Sequence, residues 1–302
     1  MKVLSWMRYC LKKNKWGMLE MKVKFNDKIL WKQYGSVVAI ISSIVTLVSF
    51  CFPLQNNCQK IVTAVVFMAT LNGIFLLMWL KANKLQEVQL YINSSKVNIK
   101  IGDIFLQDDL KVIGVNNFYD TIADDKIIAK NSLHGKFLNL VENGTVGDSV
   151  SLENAIASDE VLKQFVECKE VKTRKRGRKT RYYLGSILEY HSFILTAFAK
   201  FDEQNKACLS AKEYTEFLIS FWKNIDVVYA GRTINIPLMG AGITRFSDGK
   251  PSKQELLETM LWTLKMSGFR ITYPQSCINF IIHERDAEEI DFYHIQHNPN
   301  FQ

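Results

Sequence analysis

No two cysteines in this chain stand in a CxxC spacing, and the six present (Cys10, Cys51, Cys58, Cys168, Cys208, Cys277) follow no regular interval. That excludes a thiolate metal motif and a disulfide framework, and it fits a reducing compartment for most of the chain. Cys51 and Cys58 stand apart because they flank a turn, where they are either two free thiols or a pair if the turn meets an oxidising space. Charge is absent from one long stretch: between residues 33 and 80 the sole charged residue is Lys60. Acidic residues are in the minority overall, 30 against 38 Lys and Arg, for a formal net charge of +8. The excess collects in two places. One is an N-terminal arm holding Lys2, Arg8, Lys12, Lys13, Lys15, Lys22, Lys24, Lys28 and Lys32; the other is the run KTRKRGRKTR at 172–181. No recognition motif accompanies either cluster, so specific nucleic-acid binding is not expected.

The charge-poor stretch contains two uncharged segments, 34–54 and 61–80. A hydrocarbon core about 30 Å thick needs roughly 20 helical residues, and both segments meet that length. Pro53, Asn56 and Asn57 fall between them, where a hairpin must turn, and Trp31, Tyr34 and Trp79 lie near the ends, as interfacial aromatics do. A cleaved secretory signal is excluded, because the apolar region begins past residue 33 and a second one follows it. Nine basic residues precede the first segment and Lys81 and Lys84 follow the second, so the positive-inside rule places both termini in the cytoplasm of a two-span inner-membrane protein. Ser42, Ser43, Thr46, Thr70 and Asn72 offer hydrogen bonds between the helices, and Gly73 offers close approach.

The spacing after residue 80 predicts that the second helix runs on as a stalk over 81–95, broken by the Asn93-Ser94-Ser95 cluster. Beyond it, strands are expected at 97–101, 111–115, within 184–201, at 233–238 and at 277–283. Helices are expected at 124–143, at 151–165, from the capping box Ser210/Glu213 to Tyr229, and from the capping box Ser252/Glu255 to Gly268. Strands alternating with capped helices indicate a layered α/β domain over 96–302, whose ligands bind past the carboxyl ends of the strands.

Three such ends carry chemistry. At 234–246, a strand runs into Gly240-Ala241-Gly242, and glycines let backbone N–H groups converge on a phosphate; a plain strand-to-helix turn reads the same way. At 101–104 the strand ends in Gly102-Asp103-Ile104, whose carboxylate either accepts from a ligand amine or hydroxyl or caps a turn. At 115–120 the strand ends in Asn116-Asn117 and leads to Asn131, His134 and Gly135. His134 and His191 are each open to a general-base or a structural reading. The run at 172–181 is either a solvated loop or a surface for anionic lipid or a neighbouring subunit.

These three strand ends together resemble the macro domain, the module that binds ADP-ribose and its derivatives. With the hairpin before them, the strings NNFYDT, IIAKNSLHG, YLGSILEYHSF and IPLMGAGITRF resemble the ThsA family of type II Thoeris antiphage systems across essentially the whole chain. The resemblance implies a three-layer α/β/α sandwich with a mixed sheet, carried by a transmembrane hairpin. It implies a sensor, without catalytic residues or a metal, that binds an ADP-ribose derivative, in this subtype histidine-ADP-ribose, made by a partner TIR-domain enzyme. Binding would drive self-association and membrane disruption. Asp103, with Ile104, would meet the adenine; Gly240, Ala241, Gly242 and Ile243 would cradle the diphosphate; Thr244, Arg245 and Phe246 would close the loop. Asn116 and Asn117 would approach the distal ribose, near Asn131, His134 and Gly135. Hydrolases of the family carry several glycines in that last region, where this chain has one, which favours binding over catalysis. A membrane-tethered ADP-ribosylhydrolase, or an anchor that binds a protein and no nucleotide, are the alternatives.

Overall fold

The computed structural model describes residues 22–51, 56–202 and 206–301. Most of the basic arm, Cys10 and the turn at Pro53 and Leu54 lie outside the described residues. The chain divides into two compact units, residues 1–85 with 291–297 and residues 86–290 with 298–302.

The first unit is built on two helices, α1 (Lys28–Cys51) and α2 (Asn57–Asn83), both long and apolar enough to cross a membrane. Ile40, Ile44, Leu47, Phe50, Ile61, Val65 and Leu77 leave their side chains exposed along them. A soluble helix would bury such a face. At the other end of the hairpin Phe75 gathers the rings of Phe25, Trp31 and Tyr34 at 4.7, 4.7 and 5.1 Å. The Tyr34 hydroxyl donates to the Leu71 carbonyl at 3.1 Å, joining α1 to α2. The hydrogen bonds expected between the helices from Ser43, Thr46, Thr70 and Asn72 are instead made inside each helix. Each of these side chains donates to the carbonyl four residues back, the nearest acceptor a short polar side chain meets on a helix. Among the described residues nothing outside the helix's own backbone stands within 4 Å of where a Gly73 Cβ would be, so it makes no close approach to them.

The second unit is a three-layer α/β/α sandwich. Five parallel strands form its centre, in the order β2 (Ser95–Ile101), β11 (Ile278–Ile282), β9 (Ile234–Pro237), β3 (Leu110–Asn116) and β7 (Phe193–Phe201). Antiparallel strands complete it: β1 (Glu87–Ile92) beside β2, and β6 (Ile187–Tyr190) and β8 (Ala207–Leu209) beside β7. The short β10 (Arg245–Phe246) runs parallel to β8, and β4 (Val166–Cys168) pairs with β5 (Arg181–Tyr182) in a separate ribbon. The sheet is therefore mixed. On one face, α6 (Ala211–Val228) and α7 (Lys253–Ser267) meet where Trp222 donates to Thr263 at 3.1 Å, above Phe280 of β11. On the other, α3 (Leu133–Glu142), α4 (Ser149–Ser158) and α5 (Glu160–Lys163) supply Phe137, Leu152, Ile156 and Leu162 to a core with Ile113, Val115 and Leu195. The register of the parallel strands is marked by a side-chain ladder. Asn98 donates to Asn279 at 2.9 Å and Asn279 to Asn235 at 2.8 Å, across three paired positions. Amides paired across neighbouring strands in this way penalise a slip of register.

Three expectations are corrected. The stalk is not a helix beyond Asn83: residues 87–92 pair with 95–100 as a hairpin. Val88, Leu90 and Ile92 alternate with exposed Glu87, Gln89 and Tyr91, a period of two that suits a strand. Asn93 and Ser94 take the left-handed φ values, 51° and 62°, that a two-residue hairpin turn requires. The helix expected at 124–143 starts only at Leu133. Asp124 accepts from the N–H groups of Lys126 and Ile127, and Asp125 from that of Lys130, so the acidic side chains hold 124–132 in turns. The helix expected at 151–165 is two shorter ones, divided at Asp159, which ends α4 and caps α5. Both capping boxes, Ser210 with Glu213 and Ser252 with Glu255, form as expected.

Candidate functional site

Strands β9 and β3 are paired only over their first residues, Leu110 with Ile234 and Lys111 with Asn235. Past that point they part, and the sheet opens at its carboxyl edge, where α/β sheets place ligands. A cavity of about 480 Å³ occupies this edge, within the range of small-molecule sites. Its wall follows the strand order. Gly102, Asp103 and Ile104 come from the end of β2; His283, Arg285 and Asp286 from the end of β11; residues 237–245 from the end of β9; Gly114, Val115 and Asn116 from β3; Phe198, Ala199 and Phe201 from β7. Residues 125–136 contribute Asp125, Lys126, Asn131, His134 and Lys136.

The 240–243 turn is shaped by Gly240, whose φ of 85° is left-handed and favours glycine. Ala241 N–H donates to the Leu238 carbonyl at 3.4 Å. Among the described residues, the N–H groups of Gly240, Gly242 and Ile243 have no protein acceptor, so three donors stand at the cavity wall. Gly242 is exposed, and a Cβ there would meet nothing within 4 Å. Five cations (Lys126, Lys136, Lys206, Arg245, Arg285) line the cavity against three carboxylates (Asp103, Asp125, Asp286), and Asp286 is tied to Lys253 at 2.8 Å. A wall of free N–H donors and excess positive charge is chemically suited to an anion.

Asp103 caps the short turn Ile104–Leu106, accepting from Phe105 N–H at 2.9 Å. Asn116 lines the cavity while its side-chain oxygen Oδ1 accepts from Phe118 and Asp120 N–H at 3.0 and 3.3 Å. His134 is buried, and desolvation holds its imidazole well below the usual histidine range, at about 3, against a hydrogen bond to the Asp120 backbone that favours protonation. It is therefore neutral at physiological pH.

Eleven of the residues singled out by sequence thus share one cavity: Asp103, Ile104, Asn116, Asn131, His134, Gly240, Ala241, Gly242, Ile243, Thr244 and Arg245. Three do not line it. Asn117 is buried, with its side chain accepting from Phe201 N–H at 3.2 Å. Gly135 lies behind the wall, where a Cβ would stand 2.2 Å from the Ala129 carbonyl oxygen. Phe246 packs beneath the 240–243 turn, its ring 5.8 Å from that of Tyr214. Sequence reasoning missed Lys126, Lys136, Lys206, Phe198, His283 and Arg285. The ends of β7 and β11 were legible as strand ends, and applying the carboxyl-edge rule to them finds Phe198, His283 and Arg285.

The basic run is an exposed loop with one buried member. Arg174 pairs with Asp120 out of solvent. Nearer the surface, Arg176 pairs with Asp124, Arg178 with Glu153, Lys179 with Glu170 and Arg181 with Glu167, so five of the seven cations have an acidic partner.

Residues 97–283 match the family model described as Thoeris protein ThsA, Macro domain. The chain is 32% identical over 282 residues to Thoeris protein ThsA of Bacillus amyloliquefaciens, covering 92% of this chain and 93% of that protein. The Oceanobacillus iheyensis macrodomain solved with ADP is similar at 14% identity and a TM-score of 0.43, over 70% of this chain and 94% of its own. The same macrodomain with MES bound is similar at 14% identity and a TM-score of 0.40, with the same coverage. The resemblance read in the sequence is borne out at the level of family, and the chain belongs to the ThsA family of Thoeris proteins, with its macro domain over residues 97–283.

Proposed function

We propose that this protein is a membrane-anchored effector whose macro domain senses an ADP-ribose derivative and, on binding it, self-associates and disrupts the membrane. The observation that carries the reading is the 240–243 turn, with three N–H donors free of acceptors among the described residues at the wall of a cationic cavity. A diphosphate over that turn lies midway along the strand row. With strands about 4.8 Å apart, the row from β2 to β7 spans roughly 19 Å, enough for a nucleoside diphosphate and a second sugar. The adenine end lies at Asp103 and the second sugar over Asn116 and Phe198.

The ligand is made from NAD by a partner TIR-domain enzyme, and histidine-ADP-ribose is the derivative we favour. The domain binds it without turnover: burial leaves the His134 imidazole a weak base, already hydrogen-bonded to the Asp120 backbone, and Asp103 serves as a cap. Helices α1 and α2 cross the inner membrane with both termini in the cytoplasm, as the lysine distribution directs. The signal acts by binding the assembled state more tightly than the resting one. The protein reconstituted in dye-loaded vesicles tests this directly. Histidine-ADP-ribose should release dye and free histidine should not; retention of dye at saturating ligand overturns the effector reading.

A further inference from the structure

We infer that Arg174, from the basic run, is a positioning residue for the cavity: its buried ion pair with Asp120 sets the strand end that meets the second sugar. The inference rests on the reading of the cavity as an ADP-ribose site.

Asp120 is a junction. Its side chain is 1% exposed and that of Arg174 3%. One carboxylate oxygen accepts from Arg174 Nη1 at 3.1 Å and from Arg178 N–H at 2.7 Å. The other accepts from Arg174 Nη2 at 2.6 Å and from Asn116 Nδ2 at 3.0 Å. The Asp120 backbone in turn accepts from His134. Two cavity-lining side chains, Asn116 and His134, are thus held by a residue whose charge Arg174 balances.

The loop is built to deliver that guanidinium. Arg174 lies over the Phe118 ring, 3.8 Å from its centroid, and donates through Nη1 to the Arg178 carbonyl. Gly177 has a φ of 86°, and a Cβ there would fall 2.5 Å from Asp120 Oδ1, so a side chain at 177 would hold the loop off the carboxylate. Beyond the loop, Tyr182 N–H donates to the Asn117 carbonyl at 2.8 Å and fastens the same strand end again. Removing the cation leaves a buried carboxylate that must protonate or draw in water. Either change alters the acceptor that orients Asn116. Residues that line a site are held in register by just such supporting contacts.

Calorimetry on the full-length protein in detergent, with ADP-ribose and with ADP, separates positioning from stability. ADP reaches from Asp103 to the 240–243 turn, whereas only ADP-ribose extends to Asn116. Arg174→Lys keeps the charge and loses the two-pronged geometry; Asp120→Asn combined with Arg174→Gln leaves no stranded charge. Both variants should weaken ADP-ribose at least tenfold while changing ADP less than twofold. Equal losses for both nucleotides, no loss for either, or unfolding of both variants makes Arg174 a structural residue only and overturns the inference. A wild type that binds neither nucleotide overturns the reading of the cavity, and this inference with it.

Discussion

A Cβ on Gly240 would stand 3.3 Å from Cζ of Phe246, which places the Phe246 ring under the 240–243 turn rather than in the cavity. The turn therefore rests on a surface made by Phe246 and Leu256, and its left-handed residue has no room to grow. Gly240→Ala should cost about 1–2 kcal/mol for the φ of 85° alone, with a further cost from the contact. A thermal melt should show the loss without ligand, and affinity for ADP-ribose should fall with it. An unchanged melting temperature would mean that the turn relaxes freely.

Gly135 poses a stricter demand. Its missing Cβ is replaced by the Ala129 carbonyl oxygen, at 2.2 Å from where the Cβ would be, while its N–H is held by the Ser132 cap at 3.0 Å. Gly135→Ala must push backbone against backbone, and overpacking of this kind typically costs about 1–3 kcal/mol. Denaturant unfolding should place it at or above the upper end of that range, because a carbonyl on the main chain cannot swing aside as a side chain can.

Asp103 has two separable roles, as cap and as proposed ligand contact. Asp103→Ala removes the acceptor for Phe105 N–H and should lower stability by about 1 kcal/mol. Asp103→Asn keeps an acceptor and should melt as the wild type does. Both should weaken ADP-ribose several-fold in a binding titration. If Asn binds as well as Asp, the carboxylate charge plays no part in recognition.

The buried His134 predicts acid sensitivity. An unfolded histidine titrates near 6.5, whereas folded His134 stays neutral down to about 3. Between those values the unfolded chain binds a proton that the folded chain refuses, so stability is complete above 6.5 and falls as pH drops below it. The slope from this one group is about 1.4 kcal/mol per pH unit. Between about pH 7.5 and 5.5 the wild type should therefore lose more melting temperature than His134→Gln. Parallel losses would assign the acid sensitivity to other groups.

The parts of this protein that were legible in the sequence are those governed by local rules. The two capping boxes, the uncharged helix pair and the glycine turn each carry their signal within a few residues. What was hidden depended on partners far along the chain. Asn117 reads as a ligand contact until Phe201 claims its side-chain oxygen, and Arg174 reads as one more surface cation until Asp120 is seen beside it. The segment at 87–92 misled for a different reason. It follows a long helix after three residues, and its period of two shows as a strand only once β2 is there to pair with it.

Gly242 offers the most direct test of the central claim, that the backbone at 240–243 grips a diphosphate. Among the described residues a Cβ there meets nothing within 4 Å, and the residue lines the cavity, so Gly242→Val should fold normally while filling the space the phosphates need. Titrating ADP-ribose into full-length wild type and Gly242→Val in a calorimeter should give a saturable one-to-one isotherm for the first. For the second it should give at least a tenfold weaker isotherm, at an unchanged melting temperature. Equal affinities for the two proteins would contradict the account.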